Sequence, residues 1–167
     1  RGEDLAEWRE LVTRWYQFAA FCPLLRVHGQ FPYREMFHVA PEDHPAYQSM
    51  LAYTRLRYRL LPYVYSLMGW VTHEDYTLMR ALVMDFPNDP EVMDVADQFM
   101  FGPAFLVNPV TTFKARSRAV YLPAGSQWYD FHTGQILEGG RRIEAEAPYS
   151  DLPLFVRAGS VIPFGPQ

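Results

Sequence analysis

The chain has a single cysteine, Cys22, in 167 residues. One cysteine excludes an internal disulfide framework. It sits inside an apolar run and reads as buried filler rather than a nucleophile. Positive charge is not in surplus: 15 Lys and Arg against 19 Asp and Glu give a net charge of -4, with no basic stripe. Nucleic acid is therefore not an expected partner. No apolar run approaches the ~18 residues that a membrane-spanning helix needs. A glycine-rich phosphate cradle after a strand is missing, and so is a GxSxG nucleophile elbow. His28, His38, His44, His73 and His132 are scattered, without further ligands at metal-binding spacing, so neither a metal centre nor a cofactor is expected. Residue 1 is Arg rather than Met, no signal peptide follows it, and the first residues already read as helix. The chain reads as a piece cut from something longer.

What is abundant is apolar and aromatic. Hydrophobic residues make up 49% and aromatics 16%. That suits one or two small globular domains with a large packed core. It also suits contact with sugars or peptides. Two halves follow different patterns. In residues 1–97 the spacing predicts a helix over Asp4–Ala19, from Leu5, Trp8, Val12 and Trp15, and then a strand over Phe21–His28. Asp43 or His44 can cap the next helix, with Pro45 in its first turn, and Pro62 should kink or split it. Tyr76–Phe86 is a short, nearly continuous apolar run, as for a strand covered on both faces. A short helix over Glu91–Gln98 follows. Helix and strand in alternation imply α/β units on a parallel sheet. In residues 98–167 short strands separated by turn residues replace the helical period. They are expected near 105–107, 119–121, 128–131, 142–147, 154–157 and 161–162. Such spacing suggests an antiparallel β-sandwich.

The richest segment is Arg14–Glu35. Its apolar run ends in Arg26-Val27-His28-Gly29. Alternation along a strand puts Arg26 and His28 on one side. The carboxyl ends of inner strands are where barrel and open-sheet enzymes meet substrate. A solvated strand end is the plain alternative. Asp85, at the end of the second expected strand, could face the same cleft, though a turn role suits an Asp before Phe-Pro better. Trp128 and Tyr129 could offer a sugar-stacking platform, but alternation would aim them at opposite faces.

Several segments, in order, resemble glycoside hydrolase family 31, which includes α-xylosidases and α-glucosidases. They are Arg14-Trp15-x-Gln17-Phe18-x-Ala20-Phe21-x-Pro23 with Arg26-x-His28, then Leu56-Arg57-Tyr58-Arg59-Leu60-Leu61-Pro62-Tyr63. They continue with Phe99 through Val110, Tyr121-Leu122-Pro123-Ala124-Gly125-x-x-Trp128-Tyr129-Asp130, and Pro153 through Pro163. The resemblance implies α/β plus all-β architecture: the last β/α units of a (β/α)8 TIM barrel in residues 1–97, then an antiparallel β-sandwich in 98–167. It implies a retaining glycosidase acting on an oligosaccharide with terminal α-linked xylose, or, as the alternative, α-linked glucose. The segment Val27–Glu35 favours the α-xylosidases. A non-catalytic sugar-binding or structural module is the reading from another class. By resemblance, His28 binds the sugar at the cleavage point and Arg26 supports the acidic cluster at the barrel mouth. The catalytic residues, two aspartates in this family, find no counterpart in the chain, so these residues alone are expected to be inactive. The oligomeric state is open. The compartment is open too, the periplasm or exterior of a bacterium being preferred over the cytoplasm.

Overall fold

The structure is a computed structural model. It describes residues 2–166, apart from the side chain of Glu3. Helix α1 spans Glu3–Ala19, α2 Met36–Val39, α3 Pro45–Arg59 and α4 Leu61–Glu74. His44 rather than Asp43 caps α3: its Nδ1 accepts from the Ala46 N–H at 3.0 Å, with Pro45 following in the first turn. Pro62 splits the long helical pattern, and Leu60 is the joint between α3 and α4. A proline ring leaves no room for the carbonyl four residues back and offers no N–H. Near this break the Arg59 carbonyl accepts from the Gly165 N–H at 2.7 Å.

The rest is antiparallel sheet with short turns. A six-stranded sheet has the order β1 (Met79–Ala81), β2 (Phe99–Phe101), β3 (Phe105–Val107), β8 (Leu154–Arg157), β5 (Gln127–Asp130) and β6 (Ile136–Glu138). A second sheet pairs β4 (Ser117–Leu122) with β7 (Arg141–Glu146). Side chains alternate across the large sheet as the pleat requires. Phe101, Phe105, Val107 and Leu154 pack with Tyr53, Leu60, Tyr63 and Leu67 of the helices. Met100, Leu106, Phe155 and Trp128 pack with Val120, Leu122 and Ala145 of the small sheet. The molecule is thus three layers: helices, large sheet, small sheet. Double coverage explains why β3 is apolar and buried at every position. At the β2–β3 turn Gly102 has φ +60°, and a Cβ there would collide with the Tyr63 hydroxyl and Leu67. Tyr63 uses that closeness: its hydroxyl donates to the Phe101 carbonyl at 2.9 Å and accepts from the Ala104 N–H at 3.3 Å.

Four expected elements take other forms. Phe21–His28 is not a strand; residues 24–29 carry no regular structure. A strand needs a neighbour for its backbone groups, and among the described residues none lies beside this segment. Tyr76–Phe86 is not a parallel barrel strand. Only Met79–Ala81 pairs, antiparallel to β2, and Leu82–Asp85 turns into the short helix α5. Among the described residues every strand pairing is antiparallel, so no barrel sheet stands in the first half. The large sheet starts at Met79, and the boundary expected at 97/98 falls inside it. The helix expected over Glu91–Gln98 shrinks to one 3-10 turn, Pro90–Val92. Its C-terminal end is claimed by β4 instead: the buried Gln98 amide donates to the Tyr121 carbonyl and accepts from the Tyr121 N–H, both at 2.8 Å. Residues 161–162 form no strand, while β2 and β6 are additional. No helix is long and apolar enough to cross a membrane among the described residues.

Asp89 closes the same corner. Its carboxylate accepts from the Tyr121 hydroxyl at 2.8 and 3.0 Å, from Ala124 N–H at 2.8 Å and from Glu91 N–H at 3.1 Å. Burial opposes its ionisation, but these donors outweigh burial and hold its pKa below the ordinary value of 3.8. A depressed pKa adds stability above the unfolded value, which is lost as pH falls through the folded one. Wild type should therefore exceed Asp89→Asn in urea midpoint at about pH 6, and the gap should narrow toward about pH 3. A gap of constant size would show that the carboxylate charge contributes nothing.

Candidate functional site

Arg26 and His28 lie just beyond α1, on a segment fixed at its near end by Phe21. Phe21 is fully buried, with its ring 5.9 Å from Phe101 and Phe105 and 6.4 Å from Tyr53. From there exposure alternates: Leu25, Val27 and Gly29 are half-buried, while Leu24, Arg26, His28 and Gln30 are exposed. The segment thus keeps a strand-like two-residue period without strand partners. Arg57 of α3 supplies bonds that a strand would have given. Its guanidinium donates to the carbonyls of Ala20 (3.1 Å), Cys22 (2.6 Å) and Pro23 (2.8 Å). Past His28 the loop is closed by Arg34, which donates to the carbonyls of Gln30 (2.8 Å) and Pro32 (3.2 Å) and packs against Gly29 where a Cβ would stand.

The expectation that Arg26 and His28 share a side agrees with their contact: Arg26 Nη2 lies 3.4 Å from His28 Nδ1. A guanidinium can only donate, so in this pairing Nδ1 accepts and the ring proton resides on Nε2. His28 then presents one N–H, aimed by a neighbouring cation rather than shared with a carboxylate. Among the described residues Arg26 contacts His28, and no acidic cluster lies beside it. Both side chains border an open groove of about 260 Å³ whose walls include Trp8, Leu11, Trp15 and Leu25, with Arg34 also at its edge. A donor beside exposed indole and aliphatic surface suits a ligand with hydroxyl groups and apolar C–H faces, which is the chemistry of a sugar.

The other candidates lie elsewhere. Asp85 does not face His28: its Oδ2 accepts from Arg80 Nε at 2.8 Å within the β1–α5 turn, and it does not line the groove. Asp130 accepts from the N–H groups of His132 (2.9 Å) and Thr133 (2.8 Å), a turn function. Trp128 is 0% exposed and donates to the Pro123 carbonyl at 3.0 Å, whereas Tyr129 is 38% exposed. They point to opposite sides of β5, so the joint stacking platform does not exist. Among the described residues no group of three or more His, Cys, Asp or Glu could hold a metal ion. Cys22 is half-buried rather than buried. Burial pushes its thiol up to about 11, against the pull of Arg57. The folded protein should react with iodoacetamide at about pH 8 on the order of a hundredfold more slowly than the unfolded chain, because so little thiolate is present. Equal rates would show the thiol to be as free as in a peptide.

Sequence reasoning passed over Arg57 and Arg34 as site supports. Arg57 stands in a quoted motif, but its acceptors lie 34 to 37 residues away and nothing local announces them.

Helices and antiparallel sheets hold a paired Arg and His on an irregular segment at an open rim, and comparison with known proteins assigns the class. Residues 2–67 match the glycosyl hydrolases family 31 TIM-barrel domain. Residues 75–162, more than half of the chain, match the glycosyl hydrolase family 31 C-terminal domain. The chain belongs to glycosyl hydrolase family 31. Within that family it is similar to an alpha-xylosidase of Saccharolobus solfataricus, 48% identical over 92% of this chain and 21% of the relative. It is also similar to the crystal structure of the family 31 alpha-xylosidase of Xanthomonas citri, 62% identical with a TM-score of 0.95, over 97% of this chain and 18% of that one. Alpha-glucosidase 2 of Bacillus thermoamyloliquefaciens is 34% identical over 93% of this chain and 20% of its own length. The chain thus spans about a fifth of the length of the relatives it matches.

Proposed function

We propose that this chain is part of a retaining, exo-acting α-glycosidase that removes terminal α-linked xylose from oligosaccharides, with Arg26 and His28 at its sugar-binding rim. The observation that carries the reading is the likeness to the two alpha-xylosidases, at 48% and 62% identity, set against 34% for the alpha-glucosidase. On this reading α1 to α4 are helices of the barrel wall, and the six-stranded and two-stranded sheets are the β-sandwich behind it. Segment 24–29 becomes an inner strand once neighbouring strands flank it. Retention of configuration uses two carboxyl groups ~5–5.5 Å apart, one attacking the anomeric carbon and one protonating the leaving oxygen. Asp85, Asp89 and Asp130 are each occupied by structural donors, and by the family resemblance neither catalytic carboxyl group has a counterpart among these residues. The part of this chain is binding: the His28 Nε2–H donates to a sugar hydroxyl while Arg26 holds the ring's other nitrogen.

Xylose lacks the hydroxymethyl group of glucose, and a pocket discriminates one such carbon by only about 1–3 kcal/mol. The test is therefore quantitative. The intact enzyme should show a kcat/KM for an aryl α-xyloside about tenfold or more above that for the α-glucoside, and NMR should show α-xylose as the first product. A preference for the glucoside would move the assignment to α-glucosidase. Failure to release either sugar would overturn the glycosidase reading.

A further inference from the structure

Beside the apolar packing of the helices on the large sheet, a dense polar contact between the two family 31 domains is made by one short loop, residues 147–152. Five successive backbone carbonyls of this loop are each taken by a side chain from the helices. Arg14 of α1 donates to Ala147 at 3.0 Å, Pro148 at 3.0 Å and Asp151 at 2.8 Å. Gln17 of α1 donates to Tyr149 at 3.0 Å, and Ser49 of α3 donates to Ser150 at 2.7 Å. The Leu152 N–H then donates to the Tyr53 hydroxyl of α3 at 3.0 Å. The helix side chains are also tied to one another: Arg14 donates to Gln17 Oε1 at 3.0 Å, and Gln17 Nε2 to Ser49 Oγ at 2.9 Å. Arg14, Gln17, Ser49 and Tyr53 are 7%, 1%, 2% and 3% exposed. With each carbonyl matched to one donor in a buried site, a slip of the loop by one residue would leave several polar groups unpaired.

The same helices hold the Arg26–His28 segment. Ser49, Tyr53 and Arg57 are spaced four residues apart, so they form one stripe along α3, about 12 Å from end to end. The first two residues hold the loop. The third, Arg57, holds the carbonyls of residues 20, 22 and 23. On the other side, Gln17 of α1 is four residues from Phe21, the buried anchor of the segment. The loop therefore adds a polar brace to α1 and α3, which also pack directly on each other, and these two helices between them hold the backbone that leads to His28.

We propose that loop 147–152 of the C-terminal domain is a keystone that positions His28 for sugar binding, with Arg14, Gln17, Ser49 and Tyr53 as positioning residues. The proposal rests on the reading of His28 as a sugar-binding group, and it gives the C-terminal domain a part in turnover besides support of the fold.

The test is a double-mutant cycle in the intact enzyme, well below its melting temperature. Tyr53→Phe removes one hydroxyl and keeps the ring, and Arg14→Lys keeps the charge but cannot reach all the carbonyls. Each should lower kcat on an aryl α-xyloside by about fivefold or more. In a His28→Ala background the same changes should lower kcat hardly further, because they act through His28. If the losses multiply regardless of His28, or if kcat holds while only the melting temperature falls, the loop is merely structural and the proposal is overturned. If Arg14→Lys does not fold, Tyr53→Phe and Ser49→Ala decide the question. If His28→Ala alone leaves turnover unchanged, the sugar-binding reading itself falls, and this proposal with it.

Discussion

His28→Ala in the intact glycosidase should lower kcat on an aryl α-xyloside by about tens to thousands of fold, the range for losing one well-aimed donor from a transition state. The geometry sets the direction. Arg26 Nη2 sits 3.4 Å from Nδ1, which leaves the Nε2–H as the donor for a substrate hydroxyl. In a retaining glycosidase the ring flattens and gains positive charge at the anomeric carbon, and hydrogen bonds to its hydroxyl groups strengthen as it does so. A donor that binds the flattened ring better than the ground state raises kcat, so its loss should appear in kcat more than in KM. Arg26→Ala should do the same to a smaller degree, because it removes the group that orients the imidazole and not the donor itself. Steady-state kinetics on both variants, with circular dichroism to confirm folding, makes the check. A His28→Ala enzyme that turns over at the wild-type rate would remove this residue from the reaction.

The sequence made some of this architecture legible and hid the rest for identifiable reasons. Local signals held. The helical stripe gives α1, the pairing of His44 with Pro45 starts α3, and Pro62 separates α3 from α4. Alternation and turn residues give β3 and β8 at their observed bounds. What failed was pairing. An apolar run reports burial on two sides and says nothing about which strand, if any, lies beside it. Phe21 is buried by Tyr53, Phe101 and Phe105 from helix and sheet at once, so the run looks like a barrel strand yet has no partner in the described residues. Leu78 and Leu82 belong to the two different cores, one on each side of the large sheet. Their run therefore reads as a doubly covered strand although only three residues pair, and antiparallel at that. For the site, the two-residue period placed Arg26 and His28 on one side, and the contact between them agrees. Arg14 was visible as part of a motif, but its function was not. Its acceptors in loop 147–152 lie 133 to 137 residues away and are backbone carbonyls, which leave no mark on side-chain identity.

Trp128→Ala should be the most destabilising single truncation in the β-rich half, at about 3–5 kcal/mol. Trp128 is the largest fully buried side chain among the described residues. It stands where the two sheets close on each other, in the cluster that joins Met100, Leu106 and Phe155 to Val120 and Leu122, with its ring 5.9 Å from Phe86. Truncation would remove the ring's burial and open a cavity between two sheets that are each tied down by their own ladders and cannot collapse into it. It would also orphan the Pro123 carbonyl, which accepts from the indole N–H at 3.0 Å. Trp128→Phe separates these contributions. It keeps most of the apolar area and loses the hydrogen bond, so its cost should be smaller, about 1–3 kcal/mol. Urea midpoints of the three proteins, compared at equal slope, give the answer. A loss under about 1 kcal/mol for Trp128→Ala would mean that the sheets do repack, and that the contact between β5 and the small sheet is looser than this packing implies.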